Sequence, residues 1–560
     1  MAPLIQNGST PPPSSVPQSK PRDVQYRKAR PLPVTLLDSC SIWFEELLLS
    51  QAFSLLSSAL TSGTGASVEA FIPPHQHLAL AATLVVHPSV TTRTTSQDKH
   101  VAADDALRYL RHVNSLLGAQ ESGLDKAFQF SSASSPSRGK GRRNRISDIA
   151  GDEDDDQQGR LSLSYAGKES LWNTAEDFWS VVGWAFNCSV PHRPRWERWK
   201  LWLGLMLDVI QDDFENRLPE AEKTYAVTQS TGAAQSVLKD SMIAQYLLPI
   251  GESRSNKRRL MRAVLADGTQ KSLAEFGEVW KHETKAPKQK QAERPGKRRK
   301  LDLDNGEFGD YFDESDEDSL ASSVRRSRSG TAVPSARHSR AASDDNGNDE
   351  DELSGSKALA VSTSVTSIDT LGGIESLHLR QRIMALLTLF CSKNPDAFLD
   401  TEELFDLYTE FLRPLPLAMF QQFVLPATPW LGPNSQASLN QMLLRPLLVT
   451  TAPAYNENAL TQKEFESCYA PYAANNTSST DNAKVGLLIE SLLRLLWSSN
   501  ALQVTPALRM AVEQGIAARK DKAAFDGRKK VGGRIKVDEE AMSVMECSAE
   551  RMITVLDMAG

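Results

Sequence analysis

The sequence has few of the features that mark secreted or membrane proteins. Its five cysteines are scattered and odd in number, which argues against a disulfide framework and for free thiols in a reducing compartment. No run reaches the roughly 18 apolar residues that a membrane-spanning helix needs. The first residues show no charged stretch followed by an apolar one, so we expect no secretory signal.

Catalytic signatures are also missing from the sequence. We find no phosphate-binding loop, no dinucleotide-binding glycine pattern, no nucleophile elbow and no zinc-protease helix motif. His75, His77 and His87 are close in sequence, but the first two flank the start of a helix, so we interpret all three as structural. Cys188 and His192 have the spacing of half a metal site without a second pair. We therefore expect no metal or other cofactor.

Alternating strands are almost absent, with residues 358–363 as the single weak candidate. Apolar residues recur at helical spacing instead. The clearest case is the stripe of Leu404, Leu407 and Phe411, which follows two candidate N-caps, Asp400 and Thr401. Successive helices with short connections favour stacked pairs, although no fixed period repeats. We expect an all-α fold, either an irregular helical repeat of the HEAT or armadillo kind or helical-bundle lobes.

Residues 168–218 hold six of the ten tryptophans and predict two amphipathic helices joined by a turn at Pro191 and Pro194. The six are Trp172, Trp179, Trp184, Trp196, Trp199 and Trp202. If buried, they would anchor a core, because each aromatic side chain removes about 150–250 Å² from water. If exposed, they would form a groove for a partner helix or peptide. Arg193, Arg195 and Arg198 near the turn could stack on the rings.

Charge is concentrated in segments that lack apolar periodicity, within a formal net charge of −7. Residues 127–162 contain a basic block followed by an acidic one, and such blocks cannot bury a core. We therefore expect the following order along the chain: a disordered tail over 1–33, a helical lobe over 34–283 with a disordered insertion at 127–162, a disordered linker over 284–370, and a second helical lobe over 371–560.

The linker carries a pattern typical of a nuclear import signal. Four contiguous basic residues follow Pro295 and Gly296, and a second basic cluster lies about ten residues upstream. The two clusters consist of Lys285, Lys288, Lys290, Lys297, Arg298, Arg299 and Lys300. Two clusters at this spacing suit the two acidic pockets of an import receptor, so we expect a nuclear location.

Four serines of the linker lie in contexts that protein kinases favour. Ser315 lies in an acidic run, Ser327 and Ser329 lie among arginines, and Ser343 follows Arg340 by three positions. Each phosphate would add nearly two negative charges, which could change the partners of the basic clusters.

These patterns favour a nuclear, non-enzymatic helical scaffold or adaptor subunit of a chromatin, DNA-maintenance or RNA-processing complex. Its expected partners are other protein subunits and an import receptor, with no membrane. A second hypothesis is direct, non-specific nucleic-acid binding through the linker and the basic stretch 519–536, where Lys529, Lys530 and Arg534 would contact phosphates. A third hypothesis is an enzyme whose site assembles from distant residues.

Overall fold

A computed structural model of the chain describes most residues outside the charged segments. The described ranges are 26–131 except 64 and 66, 160–286, 367–527 except 457–459, and 535–560. They contain twenty α-helices and two strands of three residues each, which confirms the predicted all-α fold. Most of the predicted tail 1–33, of the insertion 127–162 and of the linker 284–370 lies outside the described residues.

The part of the chain before the linker contains twelve helices and both strands in its described residues. They are β1 (Ala29–Pro31), α1 (Val34–Glu45), α2 (Leu49–Leu60), β2 (Ala70–Ile72), α3 (His75–Val86), α4 (Gln97–Ser122), α5 (Leu124–Ala127), α6 (Leu171–Thr174), α7 (Phe178–Cys188), α8 (Arg193–Thr228), α9 (Thr231–Lys239), α10 (Met242–Leu247), α11 (Arg254–Val264) and α12 (Gln270–Glu275). Strands β1 and β2 pair in parallel. Strands this short show no alternation in the sequence, so they were not predicted.

The part after the linker adds eight helices in its described residues. They are α13 (Ile374–Lys393), α14 (Thr401–Leu412), α15 (Leu417–Val424), α16 (Pro433–Leu444), α17 (Gln462–Glu464), α18 (Ser479–Ser498), α19 (Pro506–Gly527) and α20 (Ile535–Ala559). Helix α14 begins at the predicted cap, since the Asp400 carboxylate accepts a hydrogen bond from the Glu403 N–H at 2.7 Å. Among the described helices, none combines the length and apolarity that crossing a membrane requires.

The tryptophan stretch forms three helices where two were predicted. Ala175 is extended and ends α6, and the Asp177 carboxylate then accepts from the Ser180 N–H at 2.6 Å, which caps α7 as a separate helix. The last helix, α8, continues beyond its predicted end and includes Pro219. It ends at Gln229, which adopts a left-handed conformation with φ of 52°.

A cap residue and a glycine also set where other helices begin or bend, which apolar spacing does not encode. The Ser241 hydroxyl accepts from the Ala244 N–H, so α9 and α10 are separate helices. Gly118 forms a kink inside α4, with φ of 68°. A Cβ at Gly118 would lie 3.1 Å from the Tyr26 ring, so this close approach also favours glycine.

Helix α8 is the centre of the packing before the linker, because it contacts α3, α4, α7, α9, α10 and α13. In a solenoid each repeat contacts only its neighbours, so the surroundings of α8 are those of a bundle. Helices from both sides of residues 287–366 pack on each other through the pairs α8–α13 and α11–α14, and belong to one compact unit. The division into two lobes stays a prediction.

Candidate functional site

The six tryptophans of residues 168–218 are buried, and none exposes more than 3% of its surface. They pack against each other and against neighbouring rings, as in the perpendicular pair of Trp199 and Trp202 with centroids 5.7 Å apart. Phe178 stacks on Tyr246 beside them at 4.3 Å. The rings therefore belong to the core of the chain, and they do not form the exposed groove that was the alternative interpretation.

A single buried carboxylate, that of Glu283, lies at the centre of this aromatic core. Its Oε1 accepts hydrogen bonds from Nε1 of Trp184 at 2.9 Å and from Nε1 of Trp199 at 2.8 Å. The same oxygen accepts from Nε and Nη2 of Arg195 at 2.9 and 2.5 Å. Oε2 accepts from the N–H of Trp280 at 3.2 Å. The carboxylate is fully buried, so these donors replace the water that it loses.

Arg195 connects this centre to helix α3. Its Nη2 donates to the carbonyl of Val86, at the C-terminus of α3, at 2.7 Å, and its Nη1 donates to the Thr91 hydroxyl at 3.0 Å. The guanidinium lies 5.5 Å from the centroid of the Trp199 ring, so the predicted stacking of Arg195 on a tryptophan is present. Apolar spacing over residues 272–285 predicts a helix, whereas α12 ends at Glu275 and the residues after it form bends and turns. Sequence reasoning therefore missed Glu283.

A second buried guanidinium, that of Arg380 on α13, joins the parts of the chain before and after the linker. Its Nη1 donates to the Val264 carbonyl at 2.6 Å, and its Nη2 donates to the Ala266 carbonyl at 2.8 Å, both at the end of α11. It also lies 4.0 Å from the centroid of the Phe186 ring. Burial lowers the pKa of Arg380 to about 9, so the carbonyl dipoles and the ring stabilise a charge held away from water.

The chain returns from residues 287–366 at the turn between α7 and α8. The Ser189 hydroxyl lies 3.4 Å from the Leu371 carbonyl, and Nη1 of Arg193 donates to the Gly372 carbonyl at 3.1 Å. A Cβ at Gly372 would lie 2.2 Å from the Ser189 hydroxyl, so only glycine allows this approach. Before residues 287–366, Glu283 is therefore bound to side chains of α7 and α8. After them, Leu371 and Gly372 lie next to the α7–α8 turn.

A cleft of about 760 Å³ opens beside the core, between the start of α7, α10 and α11. Its lining includes the rings of Phe130, Phe178, Trp179 and Tyr246 and the aliphatic side chains of Leu248, Pro249, Ile250 and Leu260. Trp179 is held in the floor, because its Nε1 donates to the Tyr246 carbonyl at 2.8 Å. The volume lies in the range of about 300–1,000 Å³ that is typical of ligand pockets. We call this feature the aromatic cleft.

The polar rim of the aromatic cleft is organised around Arg259. Its guanidinium donates to the Asp177 carboxylate and to the Ser180 hydroxyl, both at 2.8 Å, and to Glu176 at 3.3 Å. Glu176 is the most exposed of these side chains, at 74%. The charges of the rim therefore pair with each other.

Most of the other residues predicted from the sequence lie outside the described residues. This holds for the import residues from Lys288 to Lys300, for the four linker serines, and for Lys529, Lys530 and Arg534. The start of the basic stretch 519–536 is described and is structural. Nη1 of Arg519 donates to the Tyr472 carbonyl at 3.0 Å, and Nζ of Lys522 donates to the Ala474 carbonyl at 2.6 Å. These two charges therefore hold α19 in place and do not form an open phosphate-binding surface.

His77 and His87 are buried, in agreement with a structural interpretation. Burial lowers the pKa of His77 to about 4. Burial, followed by the positive charges of Arg195, Arg93 and Lys99, lowers the pKa of His87 to about 3. Within the described ranges, no group of three or more His, Cys, Asp or Glu side chains is arranged to hold a metal ion.

Comparison with protein-family models and with curated proteins found no match to this chain.

We expect Glu283→Ala to lower the free energy of unfolding by roughly 3–5 kcal/mol, because it leaves the Arg195 charge buried and unpaired. Denaturant unfolding followed by tryptophan fluorescence measures this loss. The matched control is Glu197→Ala, which removes a carboxylate that is 58% exposed and pairs with Lys200. The control should cost less than about 1 kcal/mol. Equal losses in the two variants would contradict the central role of Glu283.

We expect the chain to lose stability in mild acid, because the fold holds His77 and His87 neutral below their ordinary pKa of 6.5. The unfolded chain takes up these protons first, so this contribution is complete above pH 6.5. It is lost as the pH falls from 6.5 towards the folded values of about 4 and about 3. At about pH 4.5 each histidine should cost on the order of 2 kcal/mol relative to pH 7.

Denaturant unfolding at the two pH values measures this loss. A double variant, His77→Gln with His87→Gln, should lose less stability between the two pH values than the unchanged chain. The exposed His112→Gln should behave like the unchanged chain. The same acid sensitivity in all three proteins would show that other groups cause it.

Proposed function

We propose that this chain is a nuclear, non-enzymatic scaffold or adaptor subunit of a chromatin, DNA-maintenance or RNA-processing complex, and that it holds a segment of a partner protein in the aromatic cleft. The observation that carries this proposal is the cleft of about 760 Å³ beside the core, whose lining combines the largely buried rings of Phe178, Trp179 and Tyr246 with the exposed Leu248 at its rim. Clefts that combine aromatic floors with a few polar rim groups are typical binding sites.

The geometry of the cleft supports a protein segment as its occupant. Leu248 lies at the rim and exposes 42% of its surface, although it is a large apolar residue. The floor accepts apolar side chains, while Gln129, Gln245 and Asn256 offer amide groups along the same cleft. A peptide or helix with an apolar anchor and a polar backbone matches both kinds of group.

The proposed nuclear location rests on the sequence of residues 285–300, and the proposed regulation rests on the linker serines. The flanking residues Glu283 and Leu371 both contact the core. Phosphates on the linker serines would change the charge beside the basic clusters and with it their partners.

The basic helix α11 favours the scaffold over direct nucleic-acid binding. Three of its arginines face carboxylates of other elements: Arg258 pairs with Glu410, Arg259 pairs with Asp177, and Arg262 pairs with Glu275. Charges that are matched in this way attract phosphates weakly, because the net potential at the surface is small. The arginines of α11 thus serve packing between elements.

We expect Leu248→Asp to reduce partner recovery about tenfold, equivalent to about 1.4 kcal/mol of binding free energy, because it places a charge at the apolar rim. Tagged full-length protein is cross-linked in nuclear extract, and its partners are quantified by mass spectrometry. The matched control is Val227→Asp, which changes an apolar residue at the end of α8 that is 84% exposed. The control should recover the partners of the unchanged chain.

Two outcomes would contradict the proposal. The unchanged chain could behave as a monomer without stable partners, which would remove the scaffold function. Alternatively, both variants could recover the same partners as the unchanged chain, which would remove the aromatic cleft as the binding site. Circular dichroism of each variant establishes that the helical fold is retained.

A further inference from the structure

The loop between α3 and α4 is held against the central ion pair by Thr91. The Thr91 hydroxyl accepts a hydrogen bond from Nη1 of Arg195 at 3.0 Å and donates to the His87 carbonyl at 2.8 Å. Further along the loop the backbone is extended at Ser96, with φ of −74° and ψ of 121°, and α4 begins at the next residue. The anchored loop therefore presents Ser96 on extended backbone.

The hydroxyl of Ser96 is free and open to water. Ser96 is the N-cap of α4, but its side chain accepts no hydrogen bond from the helix. At the same position of α18, by contrast, the Ser478 hydroxyl accepts from the Asp481 N–H at 3.3 Å. Ser96 is half-buried, and its Oγ is not one of the buried side-chain atoms that lack a partner in the described part of the chain. This oxygen is therefore available to a reacting group.

Arg93 lies three positions before Ser96. An arginine at this spacing is the feature that arginine-directed serine/threonine kinases recognise, because carboxylates beside their active site bind the guanidinium. Ser343 of the linker has Arg340 at the same spacing. A protein kinase binds its substrate as an extended segment, and the backbone at Ser96 already has that form.

Within the described ranges, one other arginine has a serine or threonine at this spacing, namely Arg551 with Thr554. Both lie inside α20, where the Thr554 hydroxyl donates to the Glu550 carbonyl at 2.8 Å. An extended segment could form there only if α20 unfolded. Thr554 therefore has the sequence pattern without the geometry, and it serves as an internal reference for Ser96.

Two cations of the loop and of the first turn of α4 have no anionic partner in the described part of the chain. They are Arg93 and Lys99. Burial is the main cause of the low pKa of His87, about 3, and the charge of Arg195 is the next. The charges of the two cations follow, so both lie close to His87. Asp98 is the acidic residue of the first turn of α4, and it is exposed to water. The loop thus carries positive charge that a phosphate could neutralise.

We propose that Ser96 is a phosphorylation site of an arginine-directed serine/threonine kinase that recognises Arg93. The co-substrate is ATP. The Oγ of Ser96 attacks the γ-phosphorus, the bond from that phosphorus to the oxygen that bridges it to the β-phosphate breaks, and ADP leaves. The hydroxyl proton passes to the catalytic aspartate of the kinase. The product is a phosphoserine at the start of α4.

The phosphate would tie the loop to α4. It can pair with Arg93 or Lys99, and it lies at the positive end of the helix dipole. The exposed Asp98 opposes part of this gain. Because the same loop contacts Arg195 through Thr91, the modification acts beside the central ion pair, in a part of the sequence separate from the linker serines.

Treatment of the purified full-length chain with ATP and the catalytic subunit of cAMP-dependent protein kinase tests the proposal, with the initial rate at each site measured by mass spectrometry. Ser96 should be modified in the unchanged chain. Arg93→Ala should lower the rate at Ser96 by roughly tenfold or more, because a charge-assisted contact with the kinase is lost, and should leave the rate at Ser343 unchanged. The matched control is Arg108→Ala, which removes an arginine of α4 that is 66% exposed and should leave both rates unchanged.

Three results would overturn the proposal. Ser343 could be modified while Ser96 is not, which would show that an active kinase does not accept Ser96. The rate at Ser96 could survive Arg93→Ala, which would remove Arg93 as the recognised residue. Finally, Ser96 could be modified only together with Thr554, which would show that the kinase acts on unfolded chain.

Thermal unfolding before and after phosphorylation measures the consequence for the fold. Phosphorylation should raise the Tm of the unchanged chain by roughly 1–2 °C more than that of Ser96→Ala, because Ser96→Ala gains the linker phosphates alone. Equal changes of Tm in the two proteins would overturn the stabilising contact of the phosphate with Arg93 or Lys99.

Discussion

The buried carboxylate of Glu283 is the interaction on which the rest of the structure depends. This buried carboxylate accepts hydrogen bonds from two indole N–H groups, a guanidinium and a backbone N–H. An ion pair at this depth adds little to stability compared with a well-packed apolar pair, but the loss of one partner is costly, at about 3–5 kcal/mol. The pair therefore acts mainly as a constraint. The residues after α12 return to α7 and α8, where Glu283 is the carboxylate that pairs with Arg195 among the described residues.

The same hairpin receives the chain on its return from residues 287–366. Ser189 and Arg193 contact the carbonyls of Leu371 and Gly372, and Arg380 then reaches back to the end of α11. The described residues on both sides of residues 287–366 are thus held by hydrogen bonds to α7, α8 and the turn between them.

Sequence reasoning predicted the features that local periodicity encodes. It predicted the all-α class, and it included Asp400 among two candidate caps of α14 and Arg195 among three arginines that could stack on a tryptophan, since these depend on residues a few positions apart. It missed Glu283, whose partner Arg195 lies 88 positions away, because a pairing at that distance leaves no local pattern. The same limit applies to the aromatic cleft, whose walls come from α7, α10 and α11 and meet only in the folded chain.

Two smaller misses have local causes. The break between α6 and α7 depends on the extended conformation of Ala175, which apolar spacing does not encode. Helix α8 continues through Pro219 although a proline removes one helix hydrogen bond, and α9 packs against this long helix.

The central claim is that residues 26–286 and 367–560 share one core, closed by Glu283 and by the α7–α8 turn. The most direct test is to co-express these two ranges as separate chains, without residues 287–366. The account predicts a stable one-to-one complex that unfolds in a single cooperative transition, with neither piece stable alone. Two pieces that fold independently and do not associate would contradict it.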